Sequence, residues 1–210
     1  MIPPPPTAFP ALHRVGLRPA TLLHRIHRSG FAGNAFNPCL GRPSRFAPLR
    51  RPDGRCIPTL YAATTFECAV HETLFHEIQH DAKHKSIRFD EIENLDYAVL
   101  RPRRELVLAG LFEPDLNKWG LTRRQLIDTF AADYDATAKW AVALHEAFAD
   151  IDGLAWTSRR CDPACGYLLF GDRVPSDQLE IAERARITET NALLLQIRSF
   201  AERANILIAF

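Results

Sequence analysis

The sequence predicts a single α+β domain, a mixed and mainly antiparallel sheet with helices packed on it. Strand-like apolar segments recur on both sides of helical ones, which interleaves the two element types along the chain. Two long stretches, Tyr134 to Ala149 and Thr188 to Ala204, keep their apolar residues at helical spacing. At 210 residues, 47% hydrophobic and 24% charged, the chain can bury one sizeable core, and no composition shift marks a second domain.

Met1 to Pro10 is rich in proline and reads as an extended tail, so residues 1–12 are set apart as flexible and 13–210 taken as the folded domain. Thr21 to His27 is a first strand, from which Arg25 projects, and Phe31 to Pro38 is a loop. Thr59 to Ala63 is a short buried strand, and Thr64 with Glu67 three residues later has the form of a capping box that opens a helix. Phe66, Ala69, Val70, Thr73, Leu74 and Ile78 make its core stripe. Glu72 stands off that stripe, because two steps of about 100° carry it about 160° round from Val70. It is thereby free to face a cleft beside the strand bearing Tyr61, although a solvated glutamate is the plainer reading.

Tyr97 to Leu100 and Glu105 to Leu111 read as a hairpin around the turn Arg101-Pro102-Arg103-Arg104. Thr122 to Phe130 and Tyr134 to Ala149 are helical, the second with Trp140, Leu144 and Phe148 in steps of four. Leu154 to Thr157 and Gly166 to Phe170 are strands, and Thr188 to Ala204 closes the domain as a helix with Leu193, Leu194, Ile197 and Phe200 inward.

Twenty-six basic against 25 acidic side chains leave a formal charge of +1, so direct nucleic-acid binding has no electrostatic support. No run is long and apolar enough to cross a bilayer, and five scattered cysteines do not outline a disulfide framework, so a reducing cytoplasm is expected and no membrane. The basic residues are instead concentrated locally. Arg42, Arg45, Arg50, Arg51 and Arg55 fall within a proline- and glycine-broken loop. Planar guanidinium forks fit phosphate oxygens two at a time, so such a loop can hold a diphosphate, although a solvated surface loop has the same composition.

His76-Glu77-Ile78-Gln79-His80 spells HExxH, the pattern by which two histidines one helical turn apart ligate zinc beside a glutamate base. A zinc protease is therefore one alternative. Against it, no third ligand follows at family spacing, and surface histidines at a helix end are the plainer reading, so no metal is expected. Cys161 and Cys165 have no second cysteine pair downstream and read as structural thiols.

The segments LHRIH, SRF, TLYAATTFECAVHETLFH, LRPRREL, DGLAWTSRR and YLLFGD together resemble the RES domain, from Leu22 to Asp172. The resemblance implies a fold like that of ADP-ribosyltransferases, and the toxin half of a bacterial toxin-antitoxin pair whose antitoxin is an Xre-type helix-turn-helix protein. It implies consumption of NAD+ as substrate rather than cofactor, by phosphorolysis with inorganic phosphate as co-substrate, by hydrolysis, or by ADP-ribosyl transfer to a protein target. A homodimer is expected, although no segment signals the oligomeric state.

Carried over by position, the implied catalytic residues are Glu72, Arg25 and Ser158, and the implied substrate-binding residues Arg45 and Tyr61. Here the arginine loop is longer and more proline-broken than in many RES domains, and the serine sits in TSRR. Cleaving the bond between nicotinamide and ribose builds positive charge on the sugar, which a carboxylate such as Glu72 stabilises. Arg25 and Arg45 would grip the diphosphate, Tyr61 would flank a ring, and Ser158 would hydrogen-bond ribose or phosphate. The non-enzymatic alternative is a module that binds a nucleotide or an acidic partner without cleaving it.

Overall fold

In the computed structural model, residues 2–79 and 82–209 are described. The strands in chain order are β1 (Arg14–Leu17), β2 (Leu23–Arg28), β3 (Leu49–Arg50), β4 (Cys56–Ile57), β5 (Thr59–Ala63), β6 (Ser86–Arg88), β7 (Leu95–Pro102), β8 (Leu106–Gly110), β9 (Gly153–Thr157), β10 (Cys165–Phe170), β11 (Leu179–Arg186) and β12 (Leu207–Ala209). The helices are α1 (Phe66–Thr73), α2 (Asp90–Glu93), α3 (Glu113–Lys118), α4 (Arg123–Leu126), α5 (Tyr134–Ala147) and α6 (Asn191–Arg203).

Eight strands form one sheet in the order β1-β8-β9-β10-β5-β2-β7-β11, antiparallel except for β8 beside β9. The α+β expectation holds. Pairing across the sheet is uneven: β10 matches five residues of β5, and β2 matches six of β7, but β2 and β5 share only the pair His24 with Ala63.

Alternation along the strands sorts side chains into two faces. Leu23, Leu60, Ala62, Ala98 and Leu169 fill one core layer. On the opposite face, α1 and α6 pack over Ile26, Ala63, Tyr97 and Val99, while Trp140, Ala141 and Leu144 of α5 pack with Leu154, Trp156 and Leu168. The closing helix buries Ile197 and Ala201, and Phe200 meets Phe66 edge to face at 5.8 Å.

Several sequence expectations are corrected. The segments of β7 and β8 make no hairpin: β7 pairs with β2 and β11, and β8 with β1 and β9, because each fills a different part of the sheet. The strand β11, too charged to read as one, was missed for that reason; its pattern of mostly exposed residues is that of a sheet edge. The proline-rich tail is not set apart from the core. Phe9 lies against Trp119, Trp140 and Phe148 at 5.5, 5.8 and 5.7 Å, and Trp140 Nε1 donates to the Pro3 carbonyl at 2.8 Å. Cys39 and Cys56 form a disulfide that spans the base of the arginine loop, whereas Cys68, Cys161 and Cys165 are free.

Helix α1 is capped by Thr65, one residue later than expected, with its hydroxyl accepting from the Cys68 N–H at 3.1 Å. Thr64 is used instead to close the sheet, its N–H donating to Cys165 and its hydroxyl accepting from the Cys165 N–H. The helix ends at Thr73, so His76 lies beyond it in a turn. His80 lies outside the described residues.

Candidate functional site

The site is built where the carboxyl end of α1 meets the ends of β9 and β5. Glu72 stands off the stripe of Phe66, Ala69 and Val70, but Cys68 beside it on the helix is buried as well, and the Glu72 side chain is only 11% exposed. Ser158 follows β9 and is fully buried; its hydroxyl donates to Glu72 Oε1 at 2.6 Å and accepts from the Arg160 N–H at 3.2 Å. Arg45 reaches in from the arginine loop, 5% exposed, and its Nη1 donates to Glu72 Oε2 at 3.1 Å. Both oxygens of the glutamate are therefore engaged.

The loop is held so that Arg45 can do this. Tyr61 on β5 accepts from the Phe46 N–H at 2.9 Å and shares a hydrogen bond with the Ser44 hydroxyl at 3.2 Å, while Thr137 of α5 donates to the Arg45 carbonyl. Tyr61 thus anchors the loop from within the sheet. Trp156 floors the cluster, its ring 5.8 Å from the Arg45 guanidinium and edge-on to Tyr61 at 6.1 Å. Its place is cleared by the register partner Gly166, where a Cβ would come within 2.8 Å of the indole.

Burial pushes the Glu72 carboxyl up, but the Arg45 charge and the hydrogen bonds from Ser158 and Arg45 outweigh it, so it sits below the usual glutamate range. It is an anion held in a low-dielectric setting. Burial raises the Tyr61 phenol, which stays protonated.

Two arginines that the sequence reading left unassigned complete the electrostatics. Arg159 donates to the carbonyls of Thr129 and His76 and stacks over Phe130 at 5.1 Å; Arg160 donates to the carbonyls of His76 and Ile78. Both interact electrostatically with Glu72 and Arg45, and each keeps a buried Nε without a partner. Burial, then the neighbouring Arg159, lowers the Arg160 guanidinium to about 10. Besides Glu72, the Asp128 carboxylate acts on Arg159 and that of Glu77 on Arg160. The doubled arginine after Ser158 was the signal for these two cations, hidden because a surface pair looks the same.

Four of the five expected residues, Glu72, Arg45, Ser158 and Tyr61, are gathered here; Arg25 is not in hydrogen-bond contact with them. It lies opposite Ala98 in β7, and alternation sets it with Leu23 and His27, away from Ile26 and α1. It is partly buried, with a buried Nη1 that has no partner, and desolvation lowers it to about 10. Of the other loop arginines, Arg51 pairs with Asp172 and Arg55 with Asp53. Glu77, the proposed zinc-protease base, is instead tied to His76 at 3.0 Å and to the Tyr134 hydroxyl at 2.8 Å, and the His76 hydrogen bond leads in lowering it to about 2. Among the described residues, no group of three or more His, Cys, Asp or Glu side chains is arranged to hold a metal ion.

A family model described as RES domain matches residues 22–196. The fold is also similar to that of a chain in the crystal structure of the M. tuberculosis MbcT-MbcA toxin-antitoxin complex, with a TM-score of 0.57 at 15% identity, covering 88% of this chain and 92% of that one. No curated protein matches the sequence.

Proposed function

The chain belongs to the RES domain family, and from that premise we propose that it is a toxin of a toxin-antitoxin pair that cleaves the nicotinamide-ribose bond of NAD+. The observation that carries the reading is the buried Glu72 carboxylate, shared between Ser158 and Arg45 with two further guanidinium groups in electrostatic reach. A dinucleotide offers two diphosphate charges that guanidinium groups can bind.

As the diphosphate draws Arg45 toward itself, Glu72 Oε2 is released to face the ribose, while Ser158 keeps Oε1 in place. The carbon-nitrogen bond then breaks with its electron pair leaving on neutral nicotinamide, and the positive charge that develops at the anomeric carbon is stabilised by the carboxylate. An oxygen of phosphate, water or a protein side chain closes the new bond to that carbon and gives up its proton. Tyr61 acts by fixing Ser44 and Phe46, and so the approach of Arg45. Arg25, with its buried Nη1 unpaired, would be a further cation for the diphosphate on the other side of β2.

Kinship of fold with a chain of a toxin-antitoxin complex supports the partner half of the reading. A cognate Xre-type antitoxin would neutralise the protein by covering the cleft with acidic groups, in the cytoplasm where NAD+ is available. The test is product analysis after incubating the pure protein with NAD+, with and without inorganic phosphate. Nicotinamide release is expected, with ADP-ribose-1''-phosphate, ADP-ribose or a modified protein naming the acceptor, and Glu72→Gln abolishing it. Intact NAD+ recovered from the folded wild-type protein would leave only binding, and a wild-type rate in Glu72→Gln would remove the carboxylate from the chemistry.

A further inference from the structure

The proline-rich segment ahead of β1 takes no part in the Glu72 site, yet it lies in an aromatic groove. Phe9 is edge-on to Trp119 and Trp140 and tilted against Phe148, and the two indoles stack on each other at 6.2 Å. The Trp140 indole N–H reaches the Pro3 carbonyl, and Ile2 and Leu12 pack against the same core. Pro3, Pro4, Pro5 and Pro6 fix φ near the polyproline II value, so the run has little conformational freedom left to lose on docking. An aromatic-lined groove is the usual receptor for such a segment.

The segment is held by side chains rather than by the sheet. Among the described residues, 2–12 form no backbone–backbone hydrogen bond, whereas β1 is laddered to β8 from Arg14 onward. Trp119 Nε1 is buried without an acceptor, so one indole donor of the groove stays unsatisfied while the segment is docked. The groove also backs the site. Trp140 lies one turn after Thr137 on α5, and it is the Thr137 hydroxyl that donates to the Arg45 carbonyl. Trp140 shares a core cluster with Phe46, the neighbour of Arg45 in sequence, and with Trp156, which lies against the Arg45 guanidinium.

We infer that residues 2–12 are a detachable strap. Docked, they brace α5 through Trp140 and so hold the arginine loop with Arg45 at Glu72; released, they leave the sheet intact and set that loop free. Phe9 and Trp140 are positioning residues in this scheme. The inference stands apart from NAD+ cleavage, and its failure would leave that reading untouched.

Amide hydrogen exchange on the full chain, followed by NMR, tests it. The Phe46 N–H, which donates to the Tyr61 hydroxyl, reports on the loop, and the amides of β10, held between β5 and β9, report on the sheet. In Phe9→Ala the Phe46 amide should exchange about tenfold faster while those of β10 keep their wild-type rates. A synthetic peptide of residues 2–12, added to that variant, should return the Phe46 rate toward wild type in a saturable manner. Should Phe9→Ala not fold, Phe9→Leu, which keeps an apolar side chain and loses the ring, is measured in the same way; failure of both to fold would make the segment part of the core and overturn the strap. Unchanged exchange at Phe46 would overturn it too. So would acceleration shared equally by β10, which marks a general loss of stability, or acceleration that saturating peptide does not reverse.

Discussion

Arg45 is a buried arginine and Arg25 a partly buried one, and only the first is neutralised by an acid. Arg45 is bound to Glu72 at 3.1 Å and lies against Trp156, and its own backbone is held by Thr137. Arg25 has a buried Nη1 with no partner and is held below the ordinary arginine value by burial alone. A charge taken from water is costly unless it is paired, so the first arginine is integrated into the fold and the second is tolerated by it. The difference separates two functions that a sequence motif lumps together, since one cation supports structure and site at once and the other is left uncommitted.

Removing one partner of the committed pair should have the largest effect. Arg45→Met leaves the Glu72 carboxylate buried without its cation, and a loss of about 3–5 kcal/mol in unfolding free energy is expected from denaturant melts. Stability equal to wild type would mean that the pair is not formed. Ser158→Ala deletes one charge-assisted hydrogen bond to Glu72 and should cost about 1.5–3 kcal/mol by the same measurement, with NAD+ turnover falling as the carboxylate loses its fixed position. Arg25→Met should show the opposite signature, unchanged or higher stability with weakened NAD+ binding, which a paired titration and melt would reveal. A clear loss of stability in Arg25→Met would erase the contrast between the two arginines.

The smallest effect concerns pH. Glu72 and Glu77 both lie below the ordinary glutamate value of 4.5, Glu77 at about 2, so the unfolded chain binds their protons first. Their contribution is fully present above that ordinary value and is lost as the pH falls from it toward about 2. Melting temperatures recorded across this range should decline in the wild type and decline less in Glu77→Gln. An equal slope in both would show that Glu77 carries none of the dependence.

Much of the central module was legible because local chemistry and tertiary packing agree there. The apolar spacing of Phe66, Ala69 and Val70 oriented α1 and took Glu72 off the buried stripe, but left a cleft and open solvent both possible for it. Ser158, by contrast, was placed only through the family pattern, since a serine after a strand says nothing of a carboxylate 86 positions earlier. The proline-rich tail was misjudged for a related reason: composition describes the conformation of a segment, whereas Phe9 is held by rings from Trp119, Trp140 and Phe148. The supposed hairpin failed because a proline-bearing turn between apolar runs fits either a tight return or a crossing between separate parts of one sheet.

By itself, then, the sequence determined the α+β class, the helix that carries Glu72 and the family to which the chain belongs, because periodicity and motif are local properties. Only the tertiary structure decided which arginines meet that glutamate. Arg45 comes from a loop tied down by Tyr61 and Thr137, Arg159 and Arg160 arrive with the turn after β9, and Arg25 is turned the other way by strand alternation. Electrostatic neighbours are set by distances across the fold, which spacing along the chain does not encode.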